Sequence, residues 1–261
     1  MLKTRIISAV IGIPVLLFIL YQGGLAWTAL FVVLAVFALY EYLDMMRKHG
    51  HKPQFIIAFG LLLLMLFREQ IAQYFLPLFM AVILLIVLEC VLMYPKFSLE
   101  DIAINFLGTF YIGFLFSFAL QMQTIEQPFL AMLLVLLVTW GSDIGGYLFG
   151  RLWGKNKMAP LLSPNKTWAG AVGGVVLASA VAIAFGCIFP MNGLTVGQIL
   201  IMAVIGSAVA QLGDLFESGM KRYFGVKDSG NIIPGHGGVL DRFDSFMLLL
   251  PVIYYFIIFF R

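Results

Sequence analysis

The chain of 261 residues has few charged side chains, because Asp, Glu, Lys and Arg make up only 11% of it. A soluble domain carries roughly 25% charged residues, so this deficit excludes an ordinary soluble protein. Hydrophobic residues account for 62% of the sequence. This balance is typical of an integral membrane protein that crosses the bilayer several times.

Cysteine is almost absent as well, with Cys90 and Cys187 as the only two. Two cysteines supply no disulfide framework. In the topology predicted below they lie toward the inner and the outer end of different spans, which argues against a bond between them. The sequence also lacks a convincing cleavage site after Lys3, Arg5 and the apolar run that follows, so we expect a retained first helix and no signal peptide.

The apolar runs predict an all-α integral membrane protein, a polytopic bundle of about nine transmembrane helices. With the N-terminus in the cytoplasm, every Lys and Arg except Arg68 and Arg261 falls in a cytoplasmic segment, which favours nine spans and an external C-terminus. The expected location is the inner (plasma) membrane of a bacterium. The predicted spans are Ile6–Leu20, Leu25–Tyr40, Phe55–Phe67, Phe75–Tyr94, Ile102–Met122, Phe129–Leu148, Trp168–Phe189, Val196–Leu215 and Phe246–Phe260.

The two halves of the sequence differ in character. Residues 1–125 hold the first five predicted spans, which are plain apolar helices joined by short loops. Residues 126–261 hold the other four spans, which carry glycines and polar residues, and a cytoplasmic loop over 216–245. We therefore predict that residues 126–261 are the catalytic region.

Polar residues in the eighth span follow helical spacing, which places Ser207, Gln211, Asp214, Ser218 and Lys221 on one helix face. An acid such as Asp214 is expected to face the bundle interior or a water-filled cavity, not lipid. A snorkelling acid near a helix end is the plain alternative, but the polar stripe around Asp214 favours a functional role.

The sixth span ends in a similar pattern, in which Asp143 stands among small residues that let another helix or a ligand come close. A packing face explains the glycines there and leaves the acid unexplained. Before the seventh span, Ser163–Pro164 is typical of a helix N-cap followed by a first-turn proline. Such a helix start beside Lys166 would bind an anion, although an ordinary interfacial helix start fits the same residues.

The strongest signal is the polar stretch Ser218–Asp244. Asp241 and Asp244 are three residues apart, so on a helix they point to one side and can share a divalent cation. The glycines around His236 let the backbone approach a ligand, and the basic residues of the stretch would neutralise phosphate oxygens. Together these features suggest phosphoryl or nucleotidyl transfer. A solvated basic loop would account for the lysines and arginines alone.

The whole stretch Ser218–Asp244 resembles the signature of the phosphatidate cytidylyltransferases, also called CDP-diacylglycerol synthases. Ser142–Arg151 and Ser163–Gly170 are similar to further motifs of that family, with Asn165 as a mild variation. The resemblance implies that CTP and phosphatidic acid give CDP-diacylglycerol and pyrophosphate in a Mg²⁺-dependent reaction, with the number of cations left open. It also implies a homodimer in the lipid bilayer and no nucleic-acid partner.

The residues and the resemblance together define a candidate site. The candidate catalytic residues are Asp214, Asp241, Lys221, Arg222, His236 and Asp244. The candidates for binding substrates and cofactor are Lys166, Lys227, Arg242, Ser163, Gly237 and Gly238. The resemblance implies Asp214 and Asp241 as metal ligands, with Asp143 and Asp244 as further acids at the metal.

Two other functions fit parts of the sequence. A CTP-dependent lipid kinase would use the same metal and basic residues, but it would release CDP instead of pyrophosphate. A secondary transporter would use Asp143 and Asp214 as ion-coupling acids; transporters place such acids near the bilayer midplane, often in two related halves. Here the acids are predicted near one membrane face and no internal repeat is found, which disfavours the transporter.

Overall fold

The computed structural model describes residues 2–191, 193–235 and 237–260, without the side chains of residues 2–5 and 7. Within these residues the chain forms nine α-helices, a two-stranded sheet and one short 3-10 helix, which confirms the expected all-α membrane fold. The helices are α1 (Leu2–Gln22), α2 (Gly24–Lys48), α3 (Phe55–Leu66), α4 (Ala72–Leu92), α5 (Leu99–Gln121), α6 (Pro128–Trp153), α7 (Trp168–Ile188), α8 (Val196–Tyr223) and α9 (Leu240–Phe260).

Among the described residues, seven of the helices are long and apolar enough to cross a membrane. The shorter apolar segments are Ser8–Gln22 within α1 and the whole of α3. Each predicted span coincides with one of the nine helices. Both cysteines are free, as expected.

Two helices extend beyond their predicted limits on either side of the polar stretch. The eighth span was predicted to end at Leu215, but α8 continues to Tyr223; the ninth was predicted from Phe246, but α9 begins at Leu240. A span predicted from hydropathy ends at the first polar residues. The helix itself continues past them, because polar side chains such as Glu217 and Lys221 find partners there. The connecting loop therefore covers residues 224–239, a shorter segment than the predicted 216–245.

The expected helix start at Ser163–Pro164 is wrong. Residues Ser163–Thr167 form strand β2, which pairs antiparallel with β1 (Lys157–Ala159). Helix α7 starts only at Trp168, and its N-cap is Thr167, whose Oγ1 accepts a hydrogen bond of 3.1 Å from the backbone N–H of Gly170. A β-branched Thr with extended backbone serves both as the strand end and as the cap.

The chain divides into two compact units. Unit 1 comprises residues 1–121 and 223–241, and its helices α2, α3 and α5 pack together around buried side chains such as Trp27, Phe31 and Phe116. The indole Nε1 of Trp27 donates a hydrogen bond of 2.7 Å to the carbonyl of Ala119, so the polar end of this large side chain is satisfied in the core. Unit 1 thus contains the loop over residues 224–239 together with the helix α2.

Unit 2 comprises residues 122–222 and 242–261. Its helices α6 and α7 lie against each other through glycines, and a Cβ placed at Gly145 would be 2.5 Å from the carbonyl oxygen of Gly173. Helix α9 lies equally close to α8, since a Cβ at Gly213 would be 2.6 Å from the carbonyl oxygen of Asp244. Small residues at these crossings bring the acids of α6, α8 and α9 near one another.

Candidate active site

A buried hydrogen-bond network connects α8 to α6 and α7 in unit 2. The hydroxyl of Ser207 donates to that of Ser142 at 2.9 Å, and Gln211 Nε2 donates to the carbonyl of Ala171 at 3.1 Å. Ser207 and Ser142 are almost fully buried. The polar stripe predicted on α8 therefore has polar partners at Ser207 and Gln211. These hydrogen bonds set the rotation of α8 about its axis.

One turn further along α8, Asp214 pairs with Lys166. The Lys166 Nζ lies 2.5 Å from Asp214 Oδ2, and both side chains are partly exposed. Strand β2 carries Lys166 to this position, in place of the helix start predicted from the sequence. The hydroxyl of Ser218 lies 3.5 Å from Asp214 Oδ1, at the outer limit of a hydrogen bond.

Three acids from three helices of unit 2 form an electrostatic cluster. Asp244 on α9 lies within electrostatic range of Asp143 on α6 and of Asp214 on α8, and Lys221 offsets part of the repulsion. Asp143 in turn interacts with Asp214 and with the cations Lys166 and Arg242. The structure therefore brings together six of the predicted site residues, namely Asp143, Asp214, Asp244, Lys166, Lys221 and Arg242.

A seventh charged residue, Glu217, was missed by the sequence analysis. It is fully buried on α8, and its Oε2 lies 2.6 Å from the Nζ of Lys221 one turn away. A buried carboxylate is costly unless it is paired, so the ion pair constrains the position of Lys221. The signal in the sequence was an acid four residues before a lysine, which is the favourable order on a helix.

The remaining candidates of unit 2 lie at the hairpin. Arg222 is exposed, and its Nε donates to the carbonyl oxygen of Leu162 at 3.3 Å, in the turn between the two strands. Ser163 is half-buried at the start of β2. These contacts hold the hairpin at the end of α8.

In unit 1, the loop over residues 224–239 is anchored at its start. The hydroxyl of Tyr223 donates to Glu100 Oε1 at 2.6 Å. Phe224 is buried, and its ring meets that of Tyr42 edge-on with centroids 5.5 Å apart. These contacts fix the start of the loop within unit 1. The candidate Lys227 lies beyond this anchor and is exposed.

The glycine-rich part of the loop folds into a tight turn. The N–H of Ile233 donates to the carbonyl of Gly237 at 2.9 Å, and Gly235 and Gly237 have φ of 78° and 89°. Only glycine adopts such angles without strain. His236, a predicted catalytic residue, lies outside the described residues.

Asp241 closes the loop through one carboxylate oxygen. Its Oδ2 accepts hydrogen bonds of 2.9 Å from the N–H and the hydroxyl of Ser229 and from the N–H of Gly238. Gly237 lies against the same oxygen, since a Cβ there would be 3.0 Å from it. Gly237 and Gly238, predicted as ligand-binding glycines, therefore also give Asp241 its place at the start of α9.

The acids of unit 2 suit a hard divalent cation. Among the described residues, no three His, Cys, Asp or Glu side chains form a ready metal site. Mg²⁺, however, keeps several waters and usually binds to one or two protein carboxylates and to substrate phosphates. The repelling carboxylates of Asp143, Asp214 and Asp244 provide such oxygen ligands, so the residues present fit Mg²⁺.

A bundle of membrane-length helices that gathers carboxylates and basic side chains in unit 2 is suited to an integral-membrane enzyme that acts on phosphates. The chain belongs to the cytidylyltransferase family, whose model matches residues 3–260. It is 40% identical over 256 residues to a phosphatidate cytidylyltransferase of Staphylococcus saprophyticus, with 97% of each chain covered. Proteins of the same name from Staphylococcus aureus and Staphylococcus epidermidis are 40% and 38% identical, again over 97% of each chain.

Proposed function

We propose that this chain transfers the cytidylyl group of CTP to phosphatidic acid, which yields CDP-diacylglycerol and pyrophosphate for phospholipid biosynthesis. The observation that carries the proposal is similarity along 97% of the chain to proteins that bear this activity in their name. The stretch Ser218–Asp244, which the resemblance singles out, is also the part of the chain in which both units place charged side chains under tight geometric control.

The reaction needs no protein nucleophile. An oxygen of the phosphatidic acid phosphate attacks the α-phosphorus of CTP, the new P–O bond forms, and the bond to the β-phosphate oxygen breaks to release pyrophosphate. The obstacle is the approach of two polyanions, which positive charge at the reacting phosphates offsets. The protein must therefore supply cations and hold both phosphates in line.

The basic residues of unit 2 are the groups that would do this. Lys166 and Lys221 are each held by a carboxylate, through Asp214 and Glu217, so their ammonium groups are prepositioned. Arg242 is exposed on the first turn of α9. These three residues would bind phosphate oxygens and neutralise them as charge builds up on the departing pyrophosphate.

Mg²⁺ would be held by Asp214 and Asp244, with Asp143 as the third acid, and when bound it would act as a Lewis acid on phosphate oxygens. Asp241 is proposed as a further ligand on the family resemblance. Its Oδ2 already accepts three hydrogen bonds, so this acid also orders the loop. Lys227, Gly237 and Gly238 would contact the triphosphate of CTP from the loop.

We further propose that the site faces the cytoplasm in the plasma membrane and that the protein is a homodimer. The distribution of lysines and arginines supports this orientation. CTP then reaches the loop from the aqueous side, and phosphatidic acid enters laterally from the inner leaflet.

A turnover assay on the detergent-purified full chain tests the proposal. It contains labelled CTP, phosphatidic acid and Mg²⁺, with an EDTA control. We expect a lipid-soluble labelled CDP product and one pyrophosphate per product, both lost with EDTA. Release of CDP with phosphate transferred to a lipid would instead indicate a kinase, and no nucleotide consumption would contradict both enzymes.

A further inference from the structure

The first residues of α9 are held by an acid that is remote in sequence. Glu41 of α2 accepts hydrogen bonds from the backbone N–H groups of Val239 at 3.0 Å and Leu240 at 2.9 Å. The hydroxyl of Ser229 lies 3.2 Å from the same carboxylate. Glu41 is only 2% exposed, so this carboxylate is buried in unit 1.

The arrangement replaces the usual local helix cap. The first N–H groups of a helix have no partner inside the helix, and a nearby side chain normally accepts from them. Here the acceptor is a carboxylate from another helix, and its negative charge also suits the positive end of the helix dipole. Both oxygens of Glu41 are used, so the backbone at Val239 and Leu240 is held in place within unit 1.

The glycines around Glu41 fit the same interpretation. A Cβ at Gly230 would lie 2.5 Å from Glu41 Oε1, and a Cβ at Gly238 would lie 2.5 Å from Oε2. At Gly238 an added Cβ would also clash with the hydroxyl of Ser229, so side chains at these two positions would displace the groups that hold the loop. The backbone at these two positions therefore closes tightly around Glu41.

Ser229 links Glu41 to Asp241. Its hydroxyl lies between the two carboxylates, 3.2 Å from Glu41 Oε2 and 2.9 Å from Asp241 Oδ2. Displacing Glu41 would therefore disturb Asp241 and the glycine turn together.

We infer that Glu41 is a positioning residue for cytidylyl transfer, which acts by ordering the loop over residues 224–239 and the first turn of α9. It contacts the loop backbone, and its effect on the substrate passes through that loop. The inference rests on the proposed function, because the loop is the segment proposed to contact the triphosphate of CTP.

The test compares Glu41→Gln with Asp44→Asn in the purified full chain. The glutamine keeps the volume of the side chain but places an NH₂ group against one of the backbone N–H donors. Asp44 lies on the same helix, and within the described residues it pairs with Arg47 and Lys48, so its variant makes the same charge change at a local ion pair. Hydrogen–deuterium exchange of peptides covering residues 224–240 is measured without substrates, and KM and kcat are measured with them.

For Glu41→Gln we expect at least tenfold faster exchange in the loop peptides, about a tenfold higher KM for CTP and a lower kcat. The KM for phosphatidic acid should stay within about twofold, and Asp44→Asn should match the wild type in every measurement. A mere loss of folded protein would lower kcat and move neither KM. Unchanged loop exchange and unchanged KM for CTP in Glu41→Gln would overturn the inference.

If Glu41→Gln cannot be purified, Ser229→Ala takes its place. It removes the hydroxyl between the two carboxylates and leaves the buried charge intact. Faster loop exchange with a higher KM for CTP would support the inference, and wild-type values would overturn it. A wild-type chain that forms no CDP-lipid would instead refute the proposed function, while the exchange data would still test whether Glu41 orders the loop.

Discussion

The carboxylates of unit 1 and unit 2 are stabilised in different ways. In unit 1, Glu41 and Asp241 accept hydrogen bonds mainly from backbone N–H groups, which are fixed donors. In unit 2, Asp214 and Glu217 face the ammonium groups of lysines at the ends of flexible chains. Fixed donors hold a carboxylate in one place, whereas a lysine can yield to a metal ion or follow a phosphate.

This difference suggests two roles for the carboxylates, namely ordering the loop and taking part in the chemistry. We expect Glu41 and Asp241, with their backbone donors, to give the loop its shape, and Asp214, with its lysine partner, to take part in the chemistry. The predictions below test that division, starting with the largest expected effect.

Asp214→Asn should lower kcat on the order of 100-fold or more. The change removes the charge that pairs with Lys166 and that would hold the metal, so stabilisation of the transition state is lost. The measurement is formation of labelled CDP-lipid by the purified chain. Asp44→Asn is the control and should keep wild-type activity; equal activities of the two variants would remove Asp214 from the chemistry.

Asp241→Asn and Asp241→Ala should separate the two roles of Asp241, which are ordering the loop and supplying a negative charge for turnover. The asparagine oxygen can keep accepting from Ser229 and Gly238, so the loop should retain wild-type hydrogen exchange while kcat falls about 100-fold. Alanine should lower kcat and also speed up loop exchange. Near-normal turnover by Asp241→Asn would restrict Asp241 to ordering the loop.

Lys166→Met should change the response to Mg²⁺. The lysine occupies Asp214 Oδ2, so its removal frees an oxygen ligand, and we expect half-maximal activity at a several-fold lower Mg²⁺ concentration. The kcat should fall about 10- to 100-fold because a phosphate-binding charge is lost. Lys157→Met changes an exposed lysine of the same hairpin and should leave both quantities unchanged. An unchanged Mg²⁺ requirement in Lys166→Met would show that the Lys166 ammonium group and Mg²⁺ do not compete for Asp214.

Ser207→Ala should have the smallest effect. It removes the buried hydrogen bond to Ser142 and should destabilise the protein by about 1 kcal/mol, with activity within twofold of wild type. Thermal unfolding in detergent measures the change. Ser179→Ala is the matched control, since its buried hydroxyl has no hydrogen-bond partner within the described residues. A larger loss of stability from Ser179→Ala than from Ser207→Ala would contradict a stabilising role of the Ser207–Ser142 hydrogen bond.

The sequence alone predicted the helices and several of the charged residues that the structure brings together in unit 2. Long apolar runs predicted each span, and helical spacing placed Ser207 and Gln211 on one face of α8. Lys166 was recognised at its position, although for the wrong reason, because Ser163–Pro164 is equally acceptable in a short hairpin and at a helix start. Local preference does not choose between the two without the strand partner.

Glu41 was missed because its role depends on residues far along the chain. It lies 188 residues from Ser229 and 199 from Leu240 along the chain. The spacing of residues within one helix does not predict a contact with such distant residues. The available signal was an acid directly after the apolar run of the second span, where an ionisable residue near the membrane can have a function.

The close packing of Glu41 with Gly230 and Gly238 has a consequence for how the family can diverge. An alanine at Gly230 would push against the Glu41 carboxylate, and an alanine at Gly238 would push against both that carboxylate and the Ser229 hydroxyl. A displaced or shorter side chain at position 41 would weaken the hydrogen bonds to Val239 and Leu240. We therefore expect each of these single substitutions to loosen the loop. Related sequences should therefore change these three positions together or keep all of them.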